Sequence, residues 1–219
     1  MEGIKLATRD RLFVAVMPMV IVCIAVINML PNDLAIKMAK ENGPIEMLSA
    51  AGYLLASFWI FLEVRHGRMR DGFSAGLLVA ILGLRELDFH ARFTTMGIFK
   101  TRYYISDQVP GGEKIIVSLV VLFILVLAVR YCKRNVTSFW NALRSGRMYA
   151  IALSLSLGCI VASKMIDSLS WPFDPLAEIF SNEPKTFLRV VEECLELAIP
   201  LYLLLSISFF TRSSGNRQR

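Results

Sequence analysis

Hydrophobic residues in this chain are gathered into six long runs, which are separated by shorter polar connections. The runs cover residues 12–30, 45–63, 73–91, 115–131, 148–169 and 187–210. A helix that crosses the hydrocarbon core of a bilayer needs about 20 predominantly apolar residues. The pattern therefore predicts an all-α bundle of about six transmembrane helices, with residues 1–219 forming a single integral membrane domain.

The composition is typical of a membrane protein, and the distribution of the basic residues argues against nucleic-acid binding. Hydrophobic residues make up 55% of the chain, and the formal net charge is +6 at pH 7. A basic protein can bind nucleic acid when its charge is concentrated on one soluble face. Here the basic residues are spread over the short connections between apolar runs, so we expect membrane lipids and no nucleic acid as partners.

The distribution of basic residues predicts how the chain crosses the membrane. With six alternating spans, fourteen Lys and Arg residues fall on the side of the two termini and seven fall on the opposite side. Connections rich in Lys and Arg remain in the cytoplasm. The sequence thus predicts a multi-pass protein of the bacterial inner membrane with both termini in the cytoplasm.

Ionisable residues lie inside or at the edge of four of the apolar runs. In the predicted topology a set of eleven lies near the outer, periplasmic leaflet. They are Glu46, Arg85, Glu86, Asp88, His90, Arg92, Lys164, Asp167, Glu192, Glu193 and Glu196. Charged side chains at membrane depth are costly and usually mark a functional site. Their convergence from four helices predicts such a site at the outer ends.

The stretch 85–92 holds five of these residues at the end of the third run. If the helix continues through it, Glu86 and His90 share one face, where they can act as two metal ligands or as an acid–base pair. On another face Arg85, Asp88 and Arg92 have the spacing of a ladder of ion pairs. We therefore expect Arg85, Asp88 and Arg92 to form structural ion pairs.

The excess of acidic over basic side chains at these helix ends predicts a bound divalent metal ion. Unpaired carboxylates near hydrocarbon cost several kcal/mol each unless protons, water or a cation relieve them. The expected ligands are four carboxylates and one imidazole: Glu46, Glu86, His90, Glu193 and Glu196. Because imidazole is among them, Zn, Fe or Mn fits better than Ca or Mg.

The remaining polar residues of the set suit catalysis beside such an ion. Asp167 or Glu192 is expected to act as general base, and Lys164 or Arg85 to stabilise negative charge that develops on a substrate. The sequence therefore predicts a membrane-embedded, metal-dependent hydrolase or transferase. Its substrate would be a lipid or lipid-linked headgroup that reaches the outer leaflet.

Two other classes of function use the same residues. In a proton- or cation-coupled carrier, the carboxylates would take up and release the transported ion. In a non-catalytic assembly subunit, the charges would form buried ion pairs only.

Two local patterns concern structure. Gly72 and Gly76 have the spacing of a close helix–helix contact. Residues 137–146, in the connection between the fourth and fifth runs, predict a short separate helix at the membrane surface.

Three short motifs resemble a pattern found in small bacterial multi-pass membrane proteins. They are Gly-Pro-Ile-Glu at 43–46, Arg-Glu-Leu-Asp-Phe-His at 85–90 and Glu-Glu-Cys-Leu-Glu-Leu at 192–197. The resemblance implies a multi-pass helical membrane protein, and it carries no established activity.

Overall fold

The structure of the protein is a computed structural model that describes residues 8–40, 43–69, 71–89, 93–95, 98, 101–169 and 184–215. Within these ranges all regular secondary structure is helical. The helices are α1 (Thr8–Asn28), α2 (Asn32–Met38), α3 (Pro44–Arg65), α4 (Gly72–Glu86), α5 (Thr101–Ile105), α6 (Gly111–Arg144), α7 (Met148–Leu169) and α8 (Pro184–Gly215).

Five of the described helices are long and apolar enough to cross a membrane. The candidate spans are Arg11–Asn28 in α1, Pro44–Arg65 in α3, Gly111–Arg144 in α6, Met148–Ser168 in α7 and Thr186–Ser213 in α8. The predicted all-α, multi-pass membrane bundle is therefore confirmed.

The third predicted run, 73–91, forms a shorter helix than the sequence suggested. Helix α4 has 15 residues and ends at Glu86, which at 1.5 Å per residue makes it about 22 Å long. The hydrocarbon core is about 30 Å thick. Asp88 has a positive φ of 45°, a left-handed conformation that Asp tolerates but that cannot continue an α-helix. The expectation of a helix up to residue 91 is wrong, and a sixth complete span stays a prediction.

Helix α8 is the centre of the bundle and packs against α1, α3 and α7. Four buried residues at spacings of four, Val190, Cys194, Ala198 and Tyr202, form a continuous stripe along it. Residues four apart lie on one face of an α-helix. This stripe explains how one helix can contact several neighbours over most of its length.

The contacts of α8 with α3 and α7 are close. A Cβ atom on Gly52 of α3 would lie only 2.9 Å from Cβ of Pro200. The hydroxyl of Ser156 in α7 donates a hydrogen bond to the Ile199 carbonyl at 3.1 Å. A glycine in α3 and a serine in α7 thus allow both helices to approach α8 closely at Ile199 and Pro200.

Helices α3 and α4 also pack through small residues. A Cβ atom on Gly76 would lie 2.9 Å from Cε1 of Phe61, and one on Gly83 would lie 3.0 Å from Cβ of Tyr53. The hydroxyl of Ser57 donates to the Gly76 carbonyl at 2.8 Å. Gly72 likewise approaches α3 closely, at Val64. The close packing predicted for Gly72 and Gly76 is confirmed.

Helix α6 is a single helix of 34 residues. The separate surface helix predicted for 137–146 is wrong, because residues 137–144 belong to the same unbroken helix as the apolar segment that precedes them. Near its start, Glu113 accepts hydrogen bonds from Thr95 N, Thr95 Oγ1 and the Tyr103 hydroxyl at 2.9, 2.7 and 3.1 Å. Burial of the Tyr103 side chain and its hydrogen bond to Glu113 raise the pKa of the Tyr103 hydroxyl to about 12. Glu113 thus fastens the preceding connection to α6.

Candidate functional site

Ionisable side chains of four helices meet at one end of the bundle. Helices α3 and α8 begin there, near Glu46 and Glu192, whereas α4 and α7 finish there, near Glu86 and Lys164. We name this the acidic end, and we name the opposite end, where α3 and α8 finish, the basic end. The charged side chains converge because successive helices run in opposite directions, so that the ends of four helices meet here.

Lys164 of α7 is the centre of the acidic end. Its Nζ atom lies 3.3 Å from Oε1 of Glu196, 3.5 Å from Oε1 of Glu192 and 3.6 Å from Oδ2 of Asp167. Glu192 and Glu196 are one turn apart on α8, so both can face the same ammonium group. The side chain of Lys164 is 49% exposed, whereas those of Glu192 and Glu196 are 20% and 12% exposed.

Glu86 is the most deeply buried carboxylate of the site. Its side chain is 5% exposed, and its Oε1 atom lies 2.7 Å from Nη2 of the neighbouring Arg85. A buried carboxylate needs a charged or hydrogen-bonding partner to offset the loss of water. Arg85 is that partner here, and Glu196 and Lys164 also lie within electrostatic range of Glu86.

The geometry around 85–92 differs from the helical projection. The helix ends at Glu86, so the shared helical face expected for Glu86 and His90 does not extend beyond that residue. Arg85 forms an ion pair with Glu86. Asp88 lies beyond the end of α4, so the predicted series of ion pairs along one helical face does not continue from Arg85 to Asp88. His90 and Arg92 lie outside the described residues. Structural roles for Asp88 and Arg92 therefore stay predictions.

A second group of carboxylates surrounds Glu193. This residue of α8 lies within electrostatic range of Glu46, at the start of α3. Glu192 and Glu196 add two further carboxylates, and Arg189 supplies an opposite charge. The structure thus brings together the predicted residues of the second and sixth apolar runs.

Tyr53 belongs to the site although the sequence did not single it out. It is 2% exposed and lies within electrostatic range of Arg85, Glu86 and Glu196. Tyr53 follows Glu46 by seven residues, which places both on one face of α3. The seven-residue spacing from Glu46 could have indicated that Tyr53 faces the site. A tyrosine in an apolar run is, however, usually a packing residue with no role in a charged site.

The described residues do not by themselves make a metal centre. In the ranges that the structure covers, no three His, Cys, Asp or Glu side chains are arranged to hold a metal ion. The four predicted carboxylate ligands are all described, whereas His90 is not. The predicted divalent ion consequently depends on His90 and stays a prediction.

A shallow, open hollow adjoins Lys164 on the flank of α7, and all of its lining residues belong to that one helix. It has a volume of about 610 Å³ and is lined by Ile160, Val161, Lys164, Met165 and Ser168. Val161 and Met165 are 59% and 60% exposed. Apart from Lys164 and Ser168 the lining is apolar, so the half-exposed ammonium group borders a surface that suits acyl chains.

Comparison of the chain with protein-family models, with curated proteins and with solved structures gives no match.

Proposed function

We propose that this protein is a membrane-embedded hydrolase or transferase that acts on a lipid or lipid-linked headgroup. The observation that carries the proposal is the position of Lys164, which joins the carboxylate cluster to the open apolar hollow. A lipid can approach such a hollow sideways with its acyl chains against Val161 and Met165. Its headgroup then meets the charged side chains.

The described side chains can divide acid–base work between them. Glu192 is 20% exposed, so it can still contact water or a substrate hydroxyl and accept its proton as general base. The Lys164 ammonium, 3.5 Å away, can stabilise negative charge that develops on the oxygen under attack. Asp167 is 56% exposed and suits proton exchange with water better than the role of a positioned base.

A divalent ion is part of the proposal. It would be held by His90 together with one or two of the carboxylates of Glu46, Glu86, Glu193 and Glu196, and it would supply Lewis acidity when bound. The support is electrostatic: Glu46 lies within range of Glu193, and Glu86 within range of Glu196. Carboxylates that cluster in this way favour a bound cation. Zn, Fe and Mn fit an imidazole ligand better than Ca or Mg.

We also propose that the acidic end faces the periplasm from the bacterial inner membrane. Both termini would then be cytoplasmic. The support is the twofold excess of Lys and Arg on the side of the termini.

The proposal can be tested with purified protein in nanodiscs of phosphatidylethanolamine and phosphatidylglycerol. Lipids are followed by mass spectrometry for loss or transfer of headgroups, with and without a chelator. We expect turnover by the wild type and a loss of at least a hundredfold in Glu192→Gln, since removal of a general base typically costs about 10²–10⁴-fold. Asp107→Asn, which changes an exposed carboxylate in the connection before α6, is the control.

The outcomes separate the parts of the proposal. Turnover that survives the chelator and the His90→Ala substitution would remove the metal ion from it. Absence of turnover with every lipid, together with unfolding of Glu192→Gln, would make the charge cluster structural and overturn the enzyme.

A further inference from the structure

The last part of α6 is polar and lies beyond the apolar part of that helix. Helix α6 has 34 residues and is about 51 Å long at 1.5 Å per residue, well above the thickness of about 30 Å of the hydrocarbon core. Its uninterrupted apolar segment ends at Val129. We name the remaining residues, 130–144, the α6 tail.

Both ends of the α6 tail are held at the basic end of the bundle. Near its start, Nη2 of Arg134 lies 2.9 Å from Oδ1 of Asp71, the residue that precedes α4. After its end, a turn at Gly146 (φ 65°) leads directly into α7.

The first residues of α7 lie beside the last turns of α8. The carbonyl of Tyr149 accepts a hydrogen bond from Ser206 Oγ at 2.8 Å, and its ring centroid lies 5.4 Å from that of Phe210. The residues that follow the α6 tail therefore lie at the same level as the end of α8. The contacts on both sides of the tail, at Arg134 and at Tyr149, therefore place it at the basic end.

One face of the α6 tail combines positive charge with an aromatic ring. In a projection at 100° per residue, Lys133, Trp140 and Arg144 lie within about 40° of each other. Trp140 is 50% exposed, and the Arg144 guanidinium carbon lies 5.3 Å from its ring centroid. Val136, on the same side, is 57% exposed. No Asp or Glu occurs between residues 130 and 147.

These features identify one class of partner. Exposed tryptophan is typical of the boundary between headgroups and hydrocarbon, and clustered Lys and Arg next to a transmembrane segment attract anionic lipids. We propose that the α6 tail meets the membrane surface at the basic end and binds anionic phospholipid headgroups through Lys133 and Arg144, with Trp140 between the lipids. A soluble acidic partner would need no exposed Trp140 and Val136 at membrane level.

This inference does not depend on the proposed enzyme, since the tail lies at the end opposite Lys164. It is tested by native mass spectrometry of the delipidated full chain in detergent, titrated with phosphatidylglycerol or with phosphatidylcholine. We expect tighter binding of phosphatidylglycerol by the wild type. In Lys133→Gln/Arg144→Gln that preference should fall at least fivefold, and in the charge-conserving Lys133→Arg/Arg144→Lys it should remain.

A matched control is Arg65→Gln/Arg212→Gln, which removes two exposed basic residues of the basic end outside the tail. It should keep at least half of the wild-type preference. Equal binding of both lipids by the wild type, or an equal loss in the control, would overturn the proposal. If the double tail variant does not fold, Arg144→Gln alone decides: a loss of at least twofold supports the proposal, and an unchanged preference refutes it.

Discussion

Single side chains set the charge balance of the acidic end. Lys164 faces three carboxylates within 3.6 Å, so one positive charge is shared among three negative ones. Arg85 is committed to Glu86 at 2.7 Å. A cation that is shared in this way tolerates the loss of one partner better than a one-to-one pair does.

The first prediction concerns the Lys164–Glu196 pair. Lys164→Met should destabilise the protein by about 1–2 kcal/mol, because it leaves Glu196 uncompensated in a partly buried position. This is less than the about 3–5 kcal/mol of a fully buried pair, since water screens the half-exposed ammonium group. Adding Glu196→Gln should recover part of the loss, which thermal unfolding in detergent can measure.

Lys37→Met, at an exposed lysine of α2, is the control for the loss of a positive charge and should leave the unfolding temperature unchanged. Strictly additive effects of Lys164→Met and Glu196→Gln would show that the pair contributes no interaction free energy.

Pairs of helices owe their position to a few small residues. Gly52 lets α3 approach α8 at Pro200, and Gly83 lets α4 approach α3 at Tyr53. Through these contacts Glu46 and Glu86, on α3 and α4, are carried to the α8 carboxylates. Helix association in membranes relies on such close packing because lipid supplies no hydrophobic drive between helices.

The second prediction tests this packing. Gly52→Ala places a Cβ 2.9 Å from that of Pro200, with little freedom for either helix to yield. Overpacking of this kind costs about 1–3 kcal/mol, so the unfolding temperature should fall. Gly158→Ala in α7 is the matched control, because nothing lies within 4 Å of its added Cβ. It should be neutral or stabilising by up to about 1 kcal/mol. Equal effects of the two substitutions would contradict the packing role of Gly52.

At the scale of the whole molecule, the two ends of the bundle differ in charge. Carboxylates gather at the acidic end, and Arg and Lys gather at the basic end around the α6 tail. Under the positive-inside rule the basic end is predicted to be cytoplasmic, and the proposed site would then face the outer leaflet.

The third prediction is the orientation itself. The test uses single cysteines introduced into a variant without the native cysteines. Ser106→Cys labels the connection before α6, at the acidic end, and Ser145→Cys labels the turn between α6 and α7. An impermeant maleimide added to intact cells should label Ser106→Cys alone. Labelling of Ser145→Cys should require permeabilised cells, and the reverse result would invert the topology.

The sequence by itself determined the fold class and the approximate extent of four of the five candidate membrane helices, all except α6. The bilayer imposes a length requirement that an apolar run either meets or fails, so these features are local in the chain. It also predicted which helix ends carry the charges. The structure brings Lys164 to Glu192 and Glu196, and Glu46 near Glu193, as the alternation of helix direction suggested.

Only the tertiary structure decided which charged side chains form pairs and where the helices end. The helical projection continued past Glu86 because periodicity contains no signal for the left-handed backbone at Asp88. It assigned Arg85 to Asp88 rather than to Glu86, because a projection ignores where a helix ends. The continuity of α6 is local, since no Pro or Gly occurs between residues 115 and 144. The burial of Tyr53 beside the charges depends instead on how α3, α4 and α8 pack against each other. Those contacts join residues far apart in the chain, and no local pattern specifies them.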